Sequence, residues 1–220
     1  MSDTLRAAIL AAADAVDAAR AELGRLDGAA GDGDHGMTMS IGARNVRRRF
    51  EAAPNTASDA ELVRLAAKAM GDVGGAIGPL AGAALVAVAS DLERTAAVSL
   101  DVVGRLRSAS EAAETAIVAL GHAAPGDKTL VDALHPVVES LRSADAGSSE
   151  MGSAVEAAAA AAELGAAGTA GMAARVGRAS RLGERSRGLP DAGATSFAII
   201  VRAMADADRA APARDREDRS

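Results

Sequence analysis

"GDGDHGMTM", Gly31 to Met39, matches G-x-G-x-x-G, the fingerprint of a dinucleotide-binding turn. The match has meaning only after a strand and inside a βαβ unit. What precedes Gly31 is different. Apolar residues recur at helical spacing from about Thr4 to Leu23, with Ile9, Ala13 and Val16 on one stripe, and "GRLDGAAGDGDHG" then breaks the pattern with glycines. A doubly wound nucleotide fold therefore fails at its first condition, and helix is the expected neighbour on both sides of the motif.

The same alternation continues along the chain. Helices are expected at 36–52, 59–72, 75–93, 99–120, 129–143, 149–170 and 193–208, which with the first makes eight. Ser58, Ser99 and Ser148 stand where N-caps would, and Ser58 with Glu61 has the spacing of a capping box. No segment alternates with period two or concentrates β-branched residues for more than a few positions, so the expected class is all-α, in a single domain over 1–208. Residues 209–220, ending "AAPARDREDRS", are charged and almost free of large apolar side chains, as in a disordered tail.

The 220 residues are 49% hydrophobic, mostly Ala, Leu and Val, with two Phe and no Tyr or Trp. Such a core suits closely packed helices, and "AVEAAAAAAELGAAGTAG" reads as a buried or close-packed one. A net charge of −6 argues against nucleic acid as a partner. The basic run Arg47, Arg48, Arg49 reads as a solvated helix face. The absence of cysteine excludes disulfides and thiolate metal sites. Asp14 and Asp17 interrupt the first apolar stretch as a secretory core would not allow, and no run approaches the roughly 20 apolar residues of a membrane span, so the expected location is cytoplasmic.

Three carboxylates, Asp27, Asp32 and Asp34, fall within eight positions on a glycine-rich loop, where unneutralised they would repel one another. Either they cap and polarise an ordinary turn, or they hold a hard cation such as Mg²⁺, which takes oxygen ligands and is commonly shared with substrate phosphates. A calcium loop of the EF-hand type is excluded, because Gly36 and Ala43 stand where it needs a further acidic or amide ligand and a bidentate Glu. His35, Gly36, Met37 and Thr38 open a helix whose backbone N–H groups can meet an anion, which favours a phosphate site working through metal.

"GDVGGAIGPLAGAAL", Gly71 to Leu85, is a second glycine-rich helix opening, suited either to a ligand or to tight helix packing. "PGDKTLVDALHP" invites a P-loop reading through Gly121, Gly126, Lys128 and Thr129, but Asp127 intrudes before Lys128 and no strand leads in. His122 and His135 read as helix-end or packing residues. "GRASRLGERSRGLPDAGATS", Gly177 to Ser196, is a long irregular segment carrying Arg178, Arg181, Arg185 and Arg187, either a solvated loop or a basic cover for an acidic metal loop.

Taken together and in this order, "GDGDHGMTM", "GGAIGPLAGAA", "GDKTLVDALHP" and "GRASRLGERSRGLPDAGATS" resemble the L subunit, or L domain, of dihydroxyacetone kinases, over about residues 4 to 208. The resemblance implies an antiparallel eight-helix barrel with nucleotide, ADP or ATP, at one end. It implies magnesium, two ions, held by Asp27, Asp32 and Asp34 and bridging to the nucleotide phosphates. His35, Gly36, Met37, Thr38 and Met39 match the nucleotide-contacting helix start, and Ala76 with Ile77 the second phosphate-side turn. Gly121 and Leu130 match positions near the nucleotide, and Arg178, Asp191, Ala192 and Gly193 the loop over it. Two positions depart from the family pattern: Ile77 replaces a serine, removing a hydroxyl donor, and Ala192 replaces a proline.

In this family the ketose is held covalently by a separate K subunit or domain. The resemblance thus implies one half of a split kinase, a phosphotransferase of glycerol metabolism, with ATP or a phosphotransferase-system protein as phosphoryl source. It leaves room for a homodimer, and gives no role to membrane or nucleic acid. The competing expectation is a non-catalytic helical module that binds nucleotide or a regulator at the same end.

Overall fold

The computed structural model describes residues 2–144 and 151–210. Among the described residues the helices are α1 (Ser2–Ala18), α2 (Arg20–Ala30), α3 (His35–Glu51), α4 (Asp59–Gly71), α5 (Ile77–Thr95), α6 (Val102–Gly121), α7 (Val131–Ser143), α8 (Met151–Gly168) and α9 (Ala192–Ala210), and all but α2 lie where the apolar spacing places a helix. Short 3-10 segments at Thr169–Gly171 and Arg178–Ser186 join α8 to α9, and the described residues contain no strand.

Ser58 caps α4 as expected: its hydroxyl accepts from the Glu61 N–H while the Glu61 carboxylate accepts from the Ser58 N–H. The expected cap at Ser99 is displaced. Asp101 takes that role instead, its carboxylate accepting the Gly104 N–H at 2.6 Å, because a short carboxylate two residues nearer the first buried position, Val103, reaches the same orphan donors. Ser148 and all but the first two residues of the expected tail lie outside the described residues.

The first helix does not end at Leu23. Ala19 interrupts it, yet the Ala19 N–H still donates to the Ala15 carbonyl and the Leu23 N–H to that of Ala19, so α1 and α2 form one rod reaching Ala30. Gly24 and Gly28 are tolerated inside α2 because Leu23 and Leu26 anchor it in the core. Asp27 is therefore a helical residue rather than a loop residue.

Counting α1 and α2 as one rod, the helices close a ring of eight: α1 packs on α3, each helix from α3 on packs on the next, and α9 returns to α1. Short connections make sequential neighbours antiparallel, and an even number of rods lets that alternation close. Small side chains allow the close approach. Ala133, Ala158, Ala162, Ala194 and Ala198 form the joint of α7, α8 and α9, so the alanine-rich α8 is close-packed along one face, while its other face, with Glu156 and Leu164, is exposed. Larger side chains fill the opposite joint, where Leu62, Val46 and Phe50 pack with Ala13. The arginine run is less solvated than expected: Arg47 reaches Asp14 and Asp17 on α1, and Arg49 pairs with Asp72 beyond α4.

This parity positions the site. The starts of α3, α5, α7 and α9 all fall at one end of the ring, so the four segments singled out in the sequence converge there although about 150 positions separate the first from the last.

Candidate metal and anion site at the barrel end

At that end α2 delivers Asp27 in its last turn, and the chain reverses through Gly31–Asp34 into α3. Gly33 makes the reversal with φ 78°, a conformation that costs other residues. Gly36 permits the close crossing of α3 over α2, since a Cβ there would stand 2.1 Å from the Arg20 carbonyl oxygen and 2.6 Å from the Gly24 nitrogen. The loop returns Asp32 and Asp34 to Asp27, and one oxygen from each of the three lies within 4.8 Å of the others. Asp32 and Asp34 are exposed, and Asp27 is half-buried.

An octahedral Mg²⁺ with oxygens at about 2.1 Å separates its own ligands by about 3 to 4 Å, so these carboxylates fit with a small contraction. All three donors are hard oxygens, as that ion requires. The Asp27 carboxylate also accepts the His35 N–H at 3.3 Å, fixing one of the three carboxylates to the start of α3. Thr38 N–H already donates to the Asp34 carbonyl, so Gly36 and Met37 supply the N–H groups left without a helical acceptor. The Met39 side chain turns inward and packs with Val16, Leu23, Met70 and Val73.

His35 ties α3 to α9. Its Nε2 lies 3.0 Å from the Ser196 hydroxyl, which itself donates to the Gly193 carbonyl. Burial lowers the His35 pKa, partly opposed by Asp27 and the Ala192 backbone, so the ring is neutral near pH 7. Ala76 precedes α5 and Ile77 begins it, packed among residues of the core. Gly121 ends α6 against Leu80, and Leu130 precedes α7, where a Cβ on Gly193 would come within 3.6 Å of its own Cβ. Arg178 reaches across from the 3-10 segment to pair with Asp32 and Asp34. The remaining arginines of that segment take other roles: Arg187 bonds Glu184 and the Gly171 carbonyl, and Arg181 and Arg185 make no ion pair among the described residues.

The segment that invited a P-loop reading is settled by Lys128. Its ammonium is buried and donates to the Thr169 and Leu189 carbonyls at 2.8 and 2.7 Å, which consumes it as a structural tie. Asp132 completes the turn, accepting the Gly126 and Thr129 N–H groups at 2.5 and 2.7 Å. Thr169 accepts the Asp191 N–H, and the Asp191 carboxylate accepts that of Ala194, opening α9. Burial pushes the Asp191 carboxyl up to about 6. His122 ends α6 in a left-handed conformation and His135 pairs with Glu114, the helix-end and packing roles expected of them.

Ser196, Lys128, Asp132 and Thr169 support this end without having been singled out as site residues. Only Asp132, three residues after Thr129, carries a local signal, the spacing of a side chain that satisfies a backbone donor in the same turn.

Residues 29–206 match the DAK2 domain. The chain is 40% identical over 199 residues to a D-erythrulose kinase of Mycolicibacterium smegmatis, covering 89% of this chain and 34% of that protein. It is 36% identical over 181 residues to the ADP-binding subunit DhaL of the PEP-dependent dihydroxyacetone kinase of Escherichia coli, covering 82% and 84%. It thus spans about a third of the erythrulose kinase and most of the DhaL subunit. The dihydroxyacetone kinase of C. freundii in complex with AMP-PNP and Mg²⁺ superposes with a TM-score of 0.70 at 25% identity, over 92% of this chain and 33% of that one. No helix among the described residues is long and apolar enough to cross a membrane. With its closed helical ring and the ordered motifs at one end of it, this chain belongs to the DAK2-domain family and is a DhaL-like protein.

Proposed function

We propose that this chain is the nucleotide-carrying L component of a split dihydroxyacetone-type kinase, binding ADP or ATP with Mg²⁺ and transferring phosphoryl to dihydroxyacetone or a related short-chain ketose held by a separate K subunit. The observation that carries this reading is the meeting of Asp27, Asp32 and Asp34 beside the unpaired N–H groups of Gly36 and Met37. Asp27, Asp32 and Asp34 would hold the metal, two ions when nucleotide is bound, and the metal supplies charge neutralisation on the transferring phosphoryl group.

The protein's own groups do little covalent chemistry in this scheme. Gly36 and Met37 donate to phosphate oxygens, with the rest of the turn from His35 to Met39 holding them in place. Ala76 and Ile77 offer the second helix start through backbone alone. Gly121, Leu130, Asp191, Ala192 and Gly193 border the nucleotide, with aliphatic contacts in place of aromatic stacking, and Arg178 faces its phosphates. The proximal phosphoryl source is ATP, or ADP recharged by a phosphotransferase-system protein.

The test is phosphorylation of dihydroxyacetone and erythrulose by the purified chain supplied with a K subunit and either ATP or a phosphotransferase-system donor. Turnover lost in Asp32→Asn and Asp34→Asn with the helical fold retained is the expected result. Near-normal turnover in both variants would sink the mechanism. Nucleotide binding without turnover with any K subunit would instead favour a non-catalytic module, the role that the missing hydroxyl at Ile77 would suit.

A further inference from the structure

The Arg178 guanidinium pairs with both Asp32 and Asp34, two of the three carboxylates of the acidic cluster. One terminal nitrogen also stands 3.8 Å from where a Cβ would project on Gly75, in the turn that opens α5. This arginine thus lies between the acidic loop and the second helix start. Its segment is carried on Gly177, with φ 71°, and is kinked at Gly183, with φ 51°. Nothing else positively charged pairs with Asp32 or Asp34 among the described residues.

From this juxtaposition we infer that Arg178 is an internal counter-ion that competes with the divalent cation for Asp32 and Asp34, and that it transfers to the nucleotide phosphates when metal and nucleotide arrive together. The inference rests on the metal site proposed above. A guanidinium and a dication drawn to the same two carboxylates repel each other and compete for their charge, so metal alone drives Arg178 toward water. A metal–nucleotide complex displaces it onto phosphate, a better acceptor of its paired N–H donors. Metal and nucleotide then bind with positive coupling, and in the empty site Arg178 offsets part of the carboxylate charge and so weakens the hold on metal alone. The segment 177–187 moves with Arg178 in this scheme.

The test uses Mn²⁺ alone as probe, followed by the spin-resonance signal of the free ion on the intact chain, for wild type, Arg178→Gln and Arg181→Gln. Arg181→Gln removes the same charge from the same segment without touching the carboxylates. The expected result is Mn²⁺ binding about fivefold tighter in Arg178→Gln, unchanged in Arg181→Gln, and less strengthened by added ADP in Arg178→Gln than in wild type. In wild type, Mn²⁺ alone should also speed amide hydrogen exchange across 177–187. Equal or weaker Mn²⁺ binding in Arg178→Gln, with binding still abolished by Asp32→Asn, would overturn the counter-ion and leave the metal site standing. No Mn²⁺ binding to wild type or Arg178→Gln would overturn both.

Discussion

Lys128→Met keeps the length and apolar stem of the side chain and removes only its ammonium. In the native chain that ammonium, on a side chain 3% exposed, donates to the carbonyls of Thr169 at 2.8 Å and Leu189 at 2.7 Å. Two charged hydrogen bonds contribute about 3 to 6 kcal/mol together. Against them stands the cost of taking the charge out of water, the cause that holds the Lys128 pKa below the ordinary lysine range. The variant also strands two carbonyls that face the interior. A net loss of about 2 to 4 kcal/mol follows, which in a domain of this size lowers Tm by roughly 5 to 15 °C. Thermal unfolding followed by circular dichroism measures it, with the exposed Lys68→Met as a control expected to stay within about 0.5 kcal/mol of wild type. Since Thr169 and Leu189 bracket the entry to α9, Lys128→Met should also weaken ADP binding while Lys68→Met does not. A Lys128→Met chain as stable as wild type would refute the tie and return Lys128 to the list of groups free to meet a ligand.

Other perturbations address separate links. Gly36→Ala drives a methyl into the backbone of α2 at Arg20 and Gly24, where nothing flexible can yield, and should cost about 3 kcal/mol or more in denaturant unfolding; an unchanged midpoint would contradict the crossing. Asp191, with its carboxyl pushed up to about 6, holds its proton more tightly folded than unfolded, so its stabilising effect is full below the ordinary carboxylate range and is lost as pH rises through 6. Wild type should therefore lose about 2 to 3 kcal/mol relative to Asp191→Asn between pH 4 and 7, and a stability difference independent of pH would show that Asp191 is not buried in this way. Ile77→Ser returns a hydroxyl to the start of α5 and should tighten ADP–Mg²⁺ by about fivefold in calorimetry, at some loss of core packing. Affinity that does not rise would mean that the backbone already satisfies the phosphate there.

Much of this architecture is written in local pattern. The capping box at Ser58, the apolar spacing of α3 to α9 and the buried alanines of α8 are each readable within one or two turns of helix, because each depends on neighbours three or four residues away. The continuation of the first rod to Ala30 was not legible. Gly24 and Gly28 argue against helix on propensity, and only the burial of Leu23 and Leu26 between α3 and α9 overrides them. For the same reason the sequence reads Asp27 as a loop residue, whereas it lies within α2. His35 with Ser196, and Lys128 with Thr169, are separated by 161 and 41 positions, so no window on the sequence could join them. The ring does so, by bringing four helix starts to one end.

The most direct measurement is titration calorimetry of the purified chain with ADP, with and without magnesium, alongside Asp32→Asn and Asp34→Asn. Binding that requires magnesium and disappears in both variants is the predicted result. ADP that fails to bind wild type, or binds it equally well without magnesium and in both variants, would contradict a metal-bridged nucleotide site at this end of the barrel.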